Sequence, residues 1–91
     1  MQSSSEKTIL VVDDEQTLRD TLKYNLSREG YRVLTAPDGM EALRLVEAES
    51  IDLMILDIMM PGLTGIDVCR TLRKKSTLPV LNAFCARGRD T

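Results

Sequence analysis

Two short apolar runs, each closed by aspartate, constrain this chain more than any other feature. Residues 9–12 are Ile-Leu-Val-Val and stop at Asp13-Asp14, and residues 53–56 are Leu-Met-Ile-Leu and stop at Asp57. Four apolar residues in a row without alternation mark a strand buried on both faces, as in a parallel sheet. If the two strands are neighbours, Asp13, Asp14 and Asp57 meet at one edge of that sheet. Clustered carboxylates repel one another unless a cation lies among them. A hard divalent ion such as Mg2+ suits an all-oxygen ligand set.

The segments around these runs alternate in kind. Leu18, Leu22 and Leu26 recur at helical spacing and predict a first helix. Asp13, Asp14 and Glu15 stand at its start, where the helix dipole favours acids, and Gly30 ends it. Residues 31–36 form a second strand whose weaker alternation suits an edge or exposed position. Pro37-Asp38-Gly39 is a break, and Asp38 with Glu41 resembles a capping box. Ala42, Leu43, Leu45 and Val46 then form the face of a second helix.

After Asp57, residues 58–62 are a loop punctuated by Pro61-Gly62. Thr64 is a candidate cap for a third helix, with Asp67 in its first turn and Ile66, Cys69 and Leu72 as its buried stripe. Lys74-Lys75 suits that helix's C-terminus, and Arg70 and Arg73 are expected on its exposed side. Residues 78–81 begin a fourth strand. The order βαβαβαβ implies right-handed crossovers and a parallel sheet with helices on both faces. Ligands of such sheets bind at the carboxyl ends of the strands, where strand order reverses.

Composition narrows the function. The 91 residues suit one small domain, and the net charge of -2, with acids and bases interspersed, gives no basic stripe for nucleic acid. No run is long enough to span a membrane. Residues 1–6 are polar and lack an apolar signal core, so they are expected to form a disordered tail of a cytoplasmic protein. The absence of histidine excludes histidine metal sites, triads and phosphohistidine relays within this chain. Cys69 and Cys85 show no disulfide or zinc spacing, and Cys69 is expected on a buried helix face.

The same residues carry a family resemblance. The stretches Ile9-Leu-Val-Val-Asp13-Asp14-Glu15, Gly30-Tyr31-Arg-Val33 and Ala36-Pro-Asp-Gly39-Met-Glu-Ala-Leu43 resemble the N-terminal part of a bacterial response-regulator receiver domain. So does Asp52-Leu-Met-Ile-Leu-Asp57-Ile-Met-Met-Pro61-Gly62, with Gly65, Leu72-Arg73 and Leu78-Pro79-Val80 following. The resemblance covers roughly residues 7 to 81 and is closest to regulators that carry a winged-helix DNA-binding domain.

It implies a flavodoxin-like, doubly wound parallel sheet. Asp57 then matches the phosphoacceptor, and Asp13 and Asp14 match the acidic pair of the Mg2+ site. Met59 matches the position whose backbone carbonyl completes that site, and Pro61 and Gly62 match the loop that shapes the pocket. Family members take the phosphoryl group from a histidine kinase or a small phosphodonor and hydrolyse it slowly. The expected role is that of a phosphoacceptor module rather than an enzyme with a separate substrate.

Two departures accompany the resemblance. The family places Thr or Ser at the end of the fourth strand. Here alignment from Pro79 puts Phe84 in that slot, and alignment from Ala86-Arg87-Gly88 puts Cys85 there. The fifth strand, the last two helices and a phosphoryl-contacting lysine have no counterpart before Thr91. Residues 7–91 are therefore expected to form a truncated, incomplete receiver domain. Its exposed sheet edge and helix-bare face predict self-association. The alternative function is a receiver-like protein without phosphotransfer that acts or persists through that association.

Overall fold

A computed structural model of the chain describes residues 6–57, 65–74 and 76–81, with the side chains of residues 65 and 66 outside that set. The elements alternate as the sequence predicts: β1 (Thr8–Val12), α1 (Gln16–Arg28), β2 (Arg32–Ala36), α2 (Gly39–Ala48), β3 (Leu53–Leu56), α3 (Gly65–Arg73) and β4 (Val80–Leu81). The strands lie in the order β2-β1-β3-β4, all parallel. This is the flavodoxin-like order. β2 stands at one edge, as its weaker alternation predicts.

The apolar runs are buried on both faces, and the pleat sorts them into two clusters. Leu10, Val12, Met54, Leu56 and Val80 pack with Ala42 of α2 and Val68, Cys69 and Leu72 of α3. Ile9 and Val11 pack on the other face with Val33, beneath half-buried Leu22 and Leu26 of α1 and beside Leu53 and Ile55. The α1 face is the thinner layer. No residue of α1 is fully buried, and Leu18 of the predicted stripe is 43% exposed.

Local chemistry sets the helix ends. Gly30 takes φ 99°, the left-handed region open to glycine at little cost. It lets the Gly30 amide donate to Ser27 O and the Tyr31 amide to Leu26 O, the paired bonds that close a helix C-terminus. At α2, Asp38 Oδ1 accepts from the Glu41 amide at 2.9 Å. The other arm of the expected capping box is replaced, because Arg44 engages the Glu41 carboxylate one turn on.

Three expectations need correction. β4 begins at Val80 rather than at Leu78. Pro79 has no N–H to offer a ladder, although its carbonyl accepts from the Met54 amide at 2.9 Å. Arg73 is half-buried rather than exposed. Its guanidinium donates to Leu78 O at 2.7 Å and Ser76 O at 3.2 Å, tying α3 to the turn before β4. Cys69 is fully buried as expected, but its sulfur is disulfide-bonded. Residues 1–5, Met59, Pro61, Gly62, Thr64, Phe84 and Cys85 lie outside the described residues.

Candidate metal and phosphoacceptor site

The site follows from the strand register. Val12 pairs with Leu56 in the parallel ladder of β1 and β3. The next residues, Asp13 and Asp57, therefore leave neighbouring strands at the same level. Chain order reverses between these two strands, since β1 connects to β2 on one side and β3 lies on the other. That crevice is where ligands bind in open α/β sheets.

Main-chain bonds extend the sheet past the strand ends. The Asp57 amide donates to Val12 O at 3.0 Å, and the Asp13 amide donates to Ala36 O at 3.2 Å. Asp13 is buried at 8% exposure, Asp57 is half-buried and Asp14 is exposed. One carboxylate oxygen from each lies within 4.8 Å of the other two. The trio sits in an open pocket of about 280 Å3, shared with Val11, Ile55, Leu18 and Leu22 on the α1 side.

The donor set fits a hard dication. Mg2+ takes oxygen ligands at about 2.1 Å, so opposed ligands stand about 4 Å apart. Three carboxylate oxygens already gathered at the observed spacing reach that geometry with small side-chain adjustments. Water fills most of the remaining positions around such an ion, and the family resemblance implies one backbone carbonyl. Met59, the residue expected to supply that carbonyl, lies outside the described residues, as does the hydroxyl slot at Phe84 or Cys85.

Two contacts at the site have no signature in the sequence. The Glu15 amide donates to Asp13 Oδ1 at 2.9 Å, forming a tight turn into α1. Glu15 is the N-cap residue of α1, and its side chain makes no capping bond. Arg19 Nη1 donates to the Asp13 main-chain carbonyl at 2.7 Å. Arg19 stands three residues before Leu22 and seven before Leu26, at the margin of the apolar stripe. No pattern search would pair it with a carbonyl at the strand tip.

Comparisons with known proteins show the family and the fold. The family model of the response regulator receiver domain matches residues 9–87. The chain belongs to the response regulator receiver domain family. It is 53% identical over 76 residues to the alkaline phosphatase synthesis transcriptional regulatory protein PhoP of Bacillus subtilis, covering 82% of this chain and 32% of that protein. It therefore spans about a third of the length of the curated relatives it matches.

Among solved structures, it resembles the response regulator TrrA of Thermotoga maritima in complex with Mg2+-BeF. That match has TM-score 0.77 and 47% identity, over 81% of this chain and 65% of that one. It also matches the structure of histidine kinase ThkA in complex with TrrA, with TM-score 0.77 and 43% identity over 93% of this chain and 76% of that one.

Proposed function

We propose that this chain is the phosphoacceptor module of a two-component pathway, with Asp57 taking a phosphoryl group from a histidine kinase. The observation that carries this reading is the convergence of Asp13, Asp14 and Asp57 at the switch point of the sheet. The receiver unit is taken as residues 7–91, with residues 1–6 as a tail.

In the proposed reaction an Asp57 carboxylate oxygen attacks the phosphorus atom in line. A new P–O bond forms as the P–N bond to the kinase imidazole breaks, and that bond's electron pair stays on the imidazole nitrogen. The product is an acyl phosphate on Asp57. Asp13, Asp14, Asp57 and the Met59 carbonyl would hold Mg2+. When bound, the ion supplies Lewis-acid neutralisation of charge on the transferring group. Asp13 contributes by being fixed: its amide and one carboxylate oxygen are both held by main-chain partners. The open pocket leaves room beside Asp57 for the incoming group.

The kinase partner is supported by the likeness to TrrA, which is solved in complex with a kinase. A transcriptional output is supported by the name of the PhoP relative, and we place it in the part of such proteins that this chain does not span. The chain itself is proposed to make no direct nucleic-acid contact. Among the described residues no helix is long and apolar enough to cross a membrane. We place the chain in the cytoplasm, beside the catalytic domain of such a kinase.

A second reading has its own observation. Leu81 on β4, an edge strand among the described residues, is 53% exposed, and Leu53 and Ile55 of β3 are only half-buried. This apolar surface favours self-association, with or without phosphotransfer. The two readings separate on incubating the chain with Mg2+ and acetyl phosphate and weighing it by intact mass spectrometry. The first predicts one phosphoryl adduct on the wild type and none on Asp57→Asn. An adduct that persists in D57N overturns the Asp57 assignment. An unmodified wild type that sediments as a dimer leaves the second reading standing.

A further inference from the structure

We propose that Arg19 is a positioning residue for the carboxylate cluster, acting by pinning the main chain of Asp13. The inference rests on the reading of the cluster as an Mg2+ site and assigns that site a supporting residue. Arg19 lies in the first turn of α1, where its own amide donates to Glu15 O at 3.1 Å. From there its side chain turns back six positions in sequence, and Nη1 meets the Asp13 carbonyl at 2.7 Å.

Asp13 is thereby held at three points. Its amide is bound to Ala36 O, its Oδ1 accepts from the Glu15 amide, and its carbonyl accepts from Arg19. The first two bonds tie the residue to β2 and to the helix start. Only the third comes from a side chain, and it fixes the plane of the Asp13–Asp14 peptide. That peptide sets the direction in which Asp14 leaves the strand tip. Asp14 is exposed and has no burial of its own to orient it. A charge-assisted bond to a partly buried carbonyl is well suited to that task.

The guanidinium has an opposing effect, because a positive charge near the cluster disfavours a cation. The two contributions predict opposite outcomes on removal. Loss of the pin weakens Mg2+ binding, and loss of the charge strengthens it. The pin is the larger of the two, since geometry is lost at the ligands themselves while charge acts at a distance through screened solvent. Loss of an outer-shell partner typically costs about 10- to 100-fold in metal affinity.

The test titrates the isotope-labelled chain with Mg2+ alone and follows the Asp14 and Asp57 amides in wild type, Arg19→Ala and Arg19→Lys. Thermal melts are recorded in parallel. The expected result is Mg2+ affinity weakened about tenfold in R19A, with most of it restored in R19K, which can still donate. In R19A without metal, the Glu15 amide signal should also move, because it reports the turn around Asp13. Should R19A lose its fold, R19Q carries the same comparison with more of the side-chain stem kept.

Unchanged or tighter Mg2+ affinity in R19A, with or without a lower melting temperature, would overturn the inference and leave the metal site intact. A wild type that shows no saturable Mg2+ response would overturn the site reading itself, and with it a role for Arg19 in metal binding. In that case an unmoved Glu15 amide would overturn the pin as well.

Discussion

The Asp57 amide donates to the carbonyl of Val12 at 3.0 Å, continuing the β1–β3 ladder one residue beyond its apolar core. This bond places the end of one strand beside the end of the other, so two aspartates distant in sequence become neighbours. The apolar runs fix the strands by burial, and the parallel register then leaves the carboxylates nowhere else to lie. The site is a consequence of the sheet.

The aspartates should differ in what their loss does. Asp13 is buried and its Oδ1 accepts the Glu15 amide. Asp13→Ala should therefore cost both Mg2+ binding and about 1–3 kcal/mol of stability, because a partly buried amide loses its partner. Asp14 is exposed, and Asp14→Ala should weaken Mg2+ binding with stability changed by no more than about 0.5 kcal/mol. Urea unfolding of both variants checks the contrast. Equal stability losses would contradict it.

Gly30→Ala should destabilise the fold by about 1–2 kcal/mol, the ordinary cost of left-handed backbone for an L-residue. Steric crowding contributes nothing, since an added Cβ would meet no atom within 4 Å. Gly30→Asn should recover part of the loss, as asparagine tolerates this conformation better. Chemical denaturation of the pair tests this, and an Ala variant as stable as wild type would sink it.

Arg73→Ala should cost about 1.5–3 kcal/mol, the range for hydrogen bonds made by a charged group. Its guanidinium serves the carbonyls of Ser76 and Leu78, which lead into β4. Amide exchange should show the loss first at Val80 and Met54, on the β3–β4 side of the sheet. Uniform acceleration across all strands would argue against a local tie.

Glu41 should titrate below the usual carboxylate value of 4.5, because the Arg44 hydrogen bond and charge favour its ionised form. A depressed folded-state pKa gives stability that is present above the unfolded value. That stability fades as pH falls from about 4.5 through the folded value. Both groups are solvent-exposed, so the effect on overall stability is small. A carboxyl-carbon NMR titration checks the direction, and Arg44→Ala should return Glu41 to the ordinary value.

The legible part of this molecule was the part written in period and punctuation. Residues 9–12 and 53–56 announced β1 and β3, Gly30 announced the end of α1, and the aspartates at the strand ends announced the site. Contacts made by long side chains across the chain left no such trace. Arg73 is expected on the exposed side of its helix and no motif singles out Arg19, yet both bend back to main-chain carbonyls. Hydropathy ranks arginine by its charge and does not record the reach of its stem. At Asp38 one arm of the capping box forms, and the Glu41 carboxylate bonds to Arg44.

The central claim is that Asp13, Asp14 and Asp57 act together as one metal-dependent phosphoacceptor site. A backbone amide correlation spectrum of the labelled chain, with and without millimolar Mg2+, tests it most directly. The expected spectrum has dispersed signals with saturable shifts centred on Asp13, Asp14 and Asp57, and Asp14→Asn loses those shifts. A dispersed spectrum indifferent to Mg2+ would contradict it, leaving the three aspartates as a strand-end cluster without the chemistry assigned to them.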